Sequence, residues 1–224
     1  MAPLLDLQFD WTAVLAHKQQ LIAGAWIDLW GASVSFLIAC VVGLLLAILR
    51  NSRIRIIDIP CFFYVQLVRG VPLYVLLLWV YFGVATVVGL NFSAIQAMII
   101  ALALTGSGYT AEIFRAGIDA VQKEQMEAAQ ALGLSKTDAY LNVVLPQMFR
   151  IVVPPLGNQF IGLLKGATIV SVIGVQDMVF YAQDINLAYF TPFEAFAAVG
   201  IILVFLVTVF AAGVYGLERA IRLP

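Results

Sequence analysis

Charged residues are scarce in this sequence. Asp, Glu, Lys and Arg make up 11% of its 224 residues, whereas about a quarter of an ordinary soluble domain is charged. Hydrophobic residues make up 63%, and the mean hydropathy is +1.01. The shortage of charge excludes an ordinary soluble globular domain and indicates an integral membrane protein.

Reactive side chains are also few, with one histidine and two cysteines in the chain. Cys40 and Cys61 lie in or beside apolar runs, which favours small buried hydrophobic side chains over a disulfide framework. His17 precedes the first apolar run, and no group of Cys, His and carboxylate side chains has the spacing of a metal site. The segment "TGSGYT" at 105–110 has no partner that would activate its serine. We therefore predict no catalytic residue and no metal ligand.

The sequence contains no phosphate-binding Gly-x-x-x-x-Gly-Lys-Ser/Thr motif. Any ATP must therefore be bound by another chain. Residues 1–20 lack the basic start and compact apolar core of a cleaved signal peptide, so we expect them to be retained as an interfacial segment.

Five apolar segments are long enough to cross a hydrocarbon core of about 30 Å. They predict transmembrane helices at 24–49, 59–90, 92–114, 151–178 and 193–217. The predicted fold class is an all-α integral membrane protein with a single transmembrane domain, 1–224. We expect Pro154 and Pro155 in the first turn of the fourth span, where proline is tolerated.

The basic residues predict an orientation, because cytoplasmic loops hold an excess of Lys and Arg. Three bases follow the first span, four lie between the third and fourth, and two follow the fifth, while one precedes the first: Arg50, Arg53, Arg55; Arg115, Lys123, Lys136, Arg150; Arg219, Arg222; Lys18. The N terminus is therefore expected outside and the C terminus in the cytoplasm.

The polar segment 115–150 lies between the third and fourth spans and predicts a cytoplasmic helical hairpin. Its first part contains strong helix formers up to Gly133, a plausible helix stop. Ser135 and Asp138 have the spacing of a capping box at the start of a second helix, which Pro146 is expected to end.

The first helix of the hairpin is expected to carry a smooth surface beside Glu127, made of Ala128, Ala129, Ala131 and Leu132. Small side chains let another backbone approach closely. A docking element and an ordinary solvated hairpin explain this composition equally well.

The hairpin resembles the EAA loop of ABC importer permeases. The matching residues are Glu127, Ala128, Ala129, Gly133, Leu145 and Pro146, with Val143 where isoleucine is usual. Four further segments are similar to the permeases of polar amino acid importers: "RGVPLYVLLLWVYFG", "YTAEIFRAGI", "LPQMFRIVVPPLGNQFIGLLK" and "VSVIGV". The chain departs from the family pattern at Val71, where threonine is usual, and at 166–168, where "GAT" replaces "DTS".

The resemblance implies a permease subunit in a bacterial inner membrane, with the hairpin as a coupling helix seated in an ATP-binding subunit. It implies two ATP-binding subunits, a second copy or a paralogous permease, an extracytoplasmic amino acid-binding protein and surrounding membrane lipid, but no nucleic acid. ATP and Mg would be bound by the ATPase subunits, and this chain would bind no cofactor.

Polar residues within spans are candidates for function, because a charge at membrane depth is costly. Along the fourth span and its end, Asn158, Gln159, Lys165, Thr168 and Ser171 are candidates for a pathway or gate. Asn158 and Gln159 are expected to face the bundle. A lysine that extends to the outer interface explains Lys165 equally well.

Two arginines near the spans have simpler interpretations. Arg69 is expected near the inner surface as an anchor, and Arg115 is expected to pair with Glu112 three residues earlier.

A stand-alone secondary carrier or channel is the alternative function. Such carriers often show internal repeats and more spans, and neither feature is visible in this sequence.

Overall fold

The structure is a computed structural model that describes residues 9–52, 54–121 and 123–221. Helices make up most of these residues, and no strand occurs among them, which confirms the all-α class. Arg53 and Arg222, two of the bases that predicted the orientation, lie outside the described residues.

We number the helices in chain order. They are α1 (Thr12–Ala16), α2 (Lys18–Asn51), α3 (Arg55–Gly70), α4 (Leu73–Val88), α5 (Ala94–Ala120), α6 (Lys123–Ala131), α7 (Lys136–Ala139, Tyr140–Val144 and Leu145–Ala167 in succession), α8 (Met178–Tyr189) and α9 (Pro192–Ile221). Within the described residues, α2, α5, α7 and α9 are long and apolar enough to cross a membrane.

The predicted second span, 59–90, is not one straight helix. It is divided into α3 and α4, whose axes differ in direction by 104°. Val71 and Pro72 separate the two helices in extended conformation, with ψ of 127° and 136°. A proline disfavours helical backbone at the residue before it, which explains the break. The pair provides a fifth span only if the two helices are counted together.

Pro146 does not end the second helix of the hairpin, contrary to expectation. Helix α7 continues through it, after a π turn at Tyr140–Val144 in which the N–H of Leu145 donates to the carbonyl of Tyr140. The wider turn changes the hydrogen-bond register just before the proline. Because the hairpin and the span form one helix, Pro154 and Pro155 lie in its interior rather than in a first turn.

The fourth span is shorter at its far end than the predicted 151–178. Helix α7 ends at Ala167, and a 3₁₀ turn at Val170–Ile173 leads to Gly174, which has φ +82°. Asp177 then begins α8, where its Oδ1 accepts a hydrogen bond from the N–H of Phe180 at 2.7 Å. This capping interaction starts a separate helix.

Among the described residues, the most extensive contact between two helices is that of α2 with α5. Small residues recur at every fourth position along α2 and are all buried: Gly31, Ser35, Ala39, Gly43 and Ala47. A Cβ on Gly43 would lie 2.0 Å from Oγ1 of Thr110, whose hydroxyl donates to the carbonyl of Ala39 at 2.6 Å. Small residues let membrane helices approach until such interhelical hydrogen bonds form.

The bundle has two ends. Arg50, Glu112 and the hairpin lie at one, which we call the Arg50 end, and the start of α2 packs against Asp177 at the other, the Asp177 end. The largest buried cluster of the described residues lies between them and joins α2, α4, α5 and α7 through Ala32, Leu77, Met98, Leu102 and Leu164.

Candidate functional site: the helical hairpin and the exposed face of α7

The turn of the hairpin has the predicted glycine stop. Gly133 has φ +85°, a left-handed conformation that side chains with a Cβ rarely adopt. The N–H of Leu134 donates to the carbonyl of Ala129 at 3.1 Å, and that of Gly133 donates to Gln130 at 2.9 Å. These two bonds form a Schellman motif, which ends α6 and reverses the chain.

The second helix of the hairpin begins with a side-chain cap. The N–H of Asp138 donates to Oγ of Ser135 at 3.1 Å, and the Ser135 hydroxyl donates to the Asp138 carboxylate at 2.5 Å. Ser135 therefore satisfies an N–H group at the start of α7, as its spacing from Asp138 predicted.

The surface of α6 differs from the smooth surface that was predicted. Glu127 and Ala128 are exposed, and Leu132 at the turn is 85% exposed. Ala129 is only 4% exposed and therefore lies on the inner side of the hairpin, where α6 contacts the start of α7. Ala128 and Ala129 are the two alanines that match the EAA loop. Ala128 is available to a partner, whereas Ala129 packs between the two helices of the hairpin.

Two cavities open on the hairpin. One of about 440 Å³ lies between α6 and the start of α7 and is lined by Met126, Gln130, Thr137, Tyr140 and Leu141. Another of about 560 Å³ follows along α7 and includes Pro146, which is exposed, together with Arg150. Leu145 is half-buried and packs towards Phe114 and Met148. The hairpin therefore has a buried side towards the bundle and a grooved, exposed side.

The candidate pathway residues of α7 lie partly on one exposed face. Asn158 and Lys165 are exposed with Gly162 between them, at helical positions i, i+4 and i+7. Gln159 is half-buried. The expectation that Asn158 faces the bundle is therefore wrong within this chain. No other described part of this chain covers this polar face. At membrane depth, such a face is stable only next to another polar surface or water.

Lys165, Thr168 and Ser171 lie near the Asp177 end. Lys165 belongs to the last turn of α7, closer to the helix end than the predicted span placed it. The hydroxyl of Thr168 donates to the carbonyl of Lys165 at 2.8 Å and ties the helix end to the following turn. Ser171 is half-buried in the 3₁₀ turn. The structure thus separates Asn158 and Gln159 in the helix from Thr168 and Ser171 beyond it.

A charge cluster joins three helices at the Arg50 end. Glu112 accepts hydrogen bonds from Arg115 at 2.9 and 3.0 Å, as predicted, and also from Arg50 of α2. Arg50 contacts Asp58 of α3 at 3.3 Å, and Arg115 contacts Asp119 at 2.7 Å. The i, i+4 spacing of Arg115 and Asp119 could have revealed the last pair. The contact between Arg50 and Glu112 has no local sequence signal.

Three buried acidic residues at the Asp177 end were not predicted. Asp28 and Asp177 have no exposed surface, and Glu194 is nearly buried. Asp28 Oδ2 accepts a hydrogen bond from the N–H of Met178 at 3.4 Å, and Glu194 accepts one from the N–H of Asp10 at 2.8 Å. Burial raises the pKa of Asp177 to about 6. Asp28 thus joins the start of α8 to α2, and Glu194 joins the segment before α1 to the start of α9.

Within the described residues, no group of three or more His, Cys, Asp or Glu side chains could hold a metal ion.

Comparison with known proteins gives consistent matches. Residues 39–223 match the family described as "Binding-protein-dependent transport system inner membrane component". The chain is 34% identical over 221 residues to the "Probable amino-acid permease protein YxeN" of Bacillus subtilis (strain 168), covering 96% of this chain and 97% of that protein. It is 33% identical over 182 residues to the "Probable glutamine ABC transporter permease protein GlnM" of the same organism, covering 81% and 84%.

A solved structure has the same fold. It is described as "Crystal structure of an amino acid ABC transporter with histidines" and superposes with a TM-score of 0.89 at 34% sequence identity. The match covers 96% of this chain and 100% of that chain.

Proposed function

The chain belongs to the family of inner membrane components of binding-protein-dependent transport systems, and from this premise we propose that it imports polar amino acids as one half of an ATP-driven permease. ATP hydrolysis in this family is carried out by partner subunits, and a separate binding protein supplies the solute. The alternative of a stand-alone carrier or channel is not favoured, since the relatives are ABC permeases.

One observation carries the coupling role: an exposed, grooved hairpin continues directly into a membrane-spanning helix. The Schellman turn at Gly133 joins α6 to α7, and α7 runs without interruption from Lys136 to Ala167. A continuous helix connects a displacement at one of its ends to the residues along its length. A force applied to the hairpin by an ATPase therefore reaches the polar face at Asn158 and Lys165.

The docking surface is formed by Glu127, Ala128 and the turn at Gly133. Leu145 and Pro146 support it from α7, while Ala129 holds the two helices of the hairpin together. Each permease subunit docks one ATP-binding subunit, and ATP with Mg is bound by those partners. This chain binds no cofactor and no nucleic acid.

The pathway lies between two permease subunits, either identical or paralogous. The exposed polar face of α7 supports this arrangement, because a polar face at membrane depth is stable against another polar surface or water and unstable against lipid. Asn158, Gln159 and Lys165 line the pathway from α7, and Thr168 and Ser171 lie at its outer opening. Lipid surrounds the remaining apolar faces.

The orientation follows from the bases at the Arg50 end. Arg50, Arg55, Arg115 and Arg150 of the described residues lie near this end or in the hairpin, which supports a cytoplasmic location. The N terminus is then outside the inner membrane, and the Asp177 end faces the amino acid-binding protein.

The test is reconstitution of the permease with its ATP-binding subunit in lipid vesicles, with the binding protein and radiolabelled L-arginine, L-histidine, L-glutamine or L-glutamate outside. We expect uptake of at least one of these amino acids that requires internal ATP and the binding protein. An ATPase variant that binds but does not hydrolyse ATP is the control. Equal uptake with that variant would support a carrier or channel and contradict the proposal.

A further inference from the structure

Two buried carboxyl groups cap the start of α8. Asp28, from α2, and Asp177, the residue before α8, have no exposed surface. The N–H of Met178 donates to Oδ2 of Asp28 at 3.4 Å, and the N–H of Phe180 donates to Oδ1 of Asp177 at 2.7 Å. The first turn of one helix is therefore capped by its own preceding residue and by a carboxyl group from a neighbouring helix.

Close backbone packing holds the two carboxyl groups at this place. Asp28 lies one turn after Gly24 on α2, and a Cβ on Gly24 would lie 2.5 Å from the carbonyl carbon of Asp177. The buried residues of α2 and α8 near this contact belong to one apolar cluster: Leu21, Ala25, Met178, Ala182 and Ile185. A charged group in such surroundings is costly unless it is paired and hydrogen-bonded.

Each carboxyl group has one oxygen without a hydrogen-bond partner in the part of the chain that the structure describes. These oxygens are Oδ1 of Asp28 and Oδ2 of Asp177. The N terminus of α8 is partially positive and stabilises a negative charge, but it amounts to only about half a unit charge. The helix end therefore accommodates one carboxylate better than two, and a donor is missing beside each unpartnered oxygen.

No base balances a second negative charge. Neither aspartate forms an ion pair in the described ranges. Lys18 is exposed and lies about ten residues before Asp28, or about 15 Å along α2. The ring of His17, just before it, hydrogen-bonds a backbone carbonyl through Nδ1. Lys165, near the end of α7, is also exposed.

The titratable side chains of α8 and α9 near this contact are acidic or neutral. Asp184 of α8 is exposed, and Glu194 of α9 accepts its hydrogen bond from the N–H of Asp10. The hydroxyl of Tyr181 donates to the side chain of Gln176 at 3.4 Å. These groups supply no positive charge to the buried pair.

We propose that Asp28 and Asp177 bind a single proton between them and that this proton holds the start of α8 against α2. The two carboxyl groups interact electrostatically, and two buried carboxylates side by side would repel each other. A proton on one of them removes this repulsion and supplies the missing donor. The proton comes from water and belongs to the pair rather than to either residue alone.

The contact is then expected to weaken as the pH rises. Burial raises the pKa of Asp177 from its ordinary value of 3.8 to about 6. Between these values the folded protein binds more protons than the unfolded protein, so its stability falls with rising pH. The last proton of the pair leaves at still higher pH, because its loss creates two adjacent buried charges. Since α8 lies at the end assigned to the outside, the pH of the external medium acts on this contact.

The first measurement is infrared spectroscopy of the purified permease in detergent at about neutral pH. A protonated carboxyl group has a carbonyl stretching band that is separate from the bands of carboxylates and shifts in deuterium oxide. We expect this band in wild type and its loss in Asp28→Asn, whose amide donates to Asp177 in place of the protonated carboxyl. The control is Asp184→Asn, which removes an exposed carboxyl group from α8 and should keep the band.

The second measurement is thermal unfolding from about pH 5 to about pH 9. Asp28→Asn keeps an oxygen that accepts from Met178 and adds an N–H donor, so it imitates the protonated state at every pH. Over this range the melting temperature of wild type should fall by about 3 °C or more beyond that of Asp28→Asn. Asp184→Asn should follow wild type. If Asp28→Asn does not fold, Asp177→Asn replaces it in both measurements, since asparagine is an equally good cap.

Three results would overturn the inference. The first two are the absence of the band from wild type and its persistence in Asp28→Asn. The third is a melting temperature at about pH 9 that sodium or calcium chloride raises in wild type, but not in Asp28→Asn, relative to choline chloride at the same ionic strength. That result would assign a metal cation to the pair in place of the proton. None of these measurements depends on transport, so the inference and the proposed function can fail independently.

Discussion

Gly24 of α2 lies directly against the backbone of Asp177: a Cβ on Gly24 would be 2.5 Å from the carbonyl carbon of Asp177 and 2.6 Å from the nitrogen of Met178. One turn further along α2, Asp28 accepts a hydrogen bond from that same nitrogen. The close approach therefore makes the buried polar contact at this end of the bundle possible.

A larger residue at Gly24 should separate α2 from the start of α8. Because the clashing atoms belong to the backbone, they cannot rotate away, and we expect Gly24→Leu to lower the free energy of unfolding by about 1–3 kcal/mol. Thermal unfolding of the purified protein in detergent measures this effect. Gly200→Ala is the control, since nothing lies within 4 Å of the added Cβ. Equal melting temperatures for both variants would contradict the packing described.

Gly133→Val should distort the turn of the hairpin. Left-handed backbone costs a residue with a Cβ about 1–2 kcal/mol, and a β-branched side chain fits it poorly. We expect less ATP-binding subunit to be recovered with the purified permease and weaker stimulation of ATP hydrolysis by the loaded binding protein. Gly133→Asn is the control, because asparagine tolerates this conformation. Normal recovery and stimulation with valine would identify the hairpin as a solvated spacer.

The two alanines of the hairpin should respond differently to tryptophan. Ala128 is exposed, so Ala128→Trp should leave the permease stable and obstruct a close-fitting partner. Ala129 is buried, so Ala129→Trp should separate α6 from α7 and destabilise the hairpin itself by about 1–3 kcal/mol. Limited proteolysis of the hairpin and ATPase recovery together distinguish the two effects. Full ATPase recovery with Ala128→Trp would place the docking surface elsewhere.

Glu112→Gln should weaken the contact between α2 and α5. The Arg50 side chain is only 12% exposed and would lose a charged acceptor, as would Arg115. We expect a loss of about 1–3 kcal/mol in thermal stability. Asp119→Asn is the matched control, because its carboxylate is 57% exposed and such surface pairs contribute at most about 1 kcal/mol. A larger loss for Asp119→Asn than for Glu112→Gln would contradict the central position of Glu112.

Cysteine labelling should test the orientation. In a protein with Cys40 and Cys61 replaced by alanine, Asp184→Cys in α8 and Leu132→Cys in the hairpin place single thiols at exposed positions. A membrane-impermeant maleimide should label position 184 in right-side-out membrane vesicles and position 132 only after the vesicles are opened. The reverse pattern would overturn both the orientation and the docking of a cytoplasmic ATPase.

Local signals in the sequence predicted much of the hairpin. The stop at Gly133 and the cap formed by Ser135 depend on backbone geometry and neighbouring side chains, which short segments encode. The pair of Glu112 and Arg115 is local for the same reason. By contrast, the sequence did not separate the outer side of α6 from its inner side, because Ala128 and Ala129 have the same side chain and differ only in which neighbour they face.

The prolines were the least predictable feature, because the effect of a proline depends on the surrounding hydrogen bonds. Pro72 ends one helix and starts another, whereas α7 continues through Pro146 after the π turn has changed the register. Because proline has no backbone N–H, each proline removes one backbone hydrogen bond. Whether the helix continues past the proline depends on the hydrogen bonds and the packing of the surrounding residues.

Composition, apolar segment length and local capping signals determined by themselves that this chain is an all-helical membrane protein with a polar hairpin. These properties follow from the transfer of side chains into lipid and from interactions within a few residues. Only the tertiary structure decided that Arg50 meets Glu112, that Asp28 and Asp177 are buried together, and that Arg69 lies at a helix break beside Gly108. Such contacts join residues far apart in the chain, and their positions depend on how closely the small residues of α2 and α5 let the helices approach.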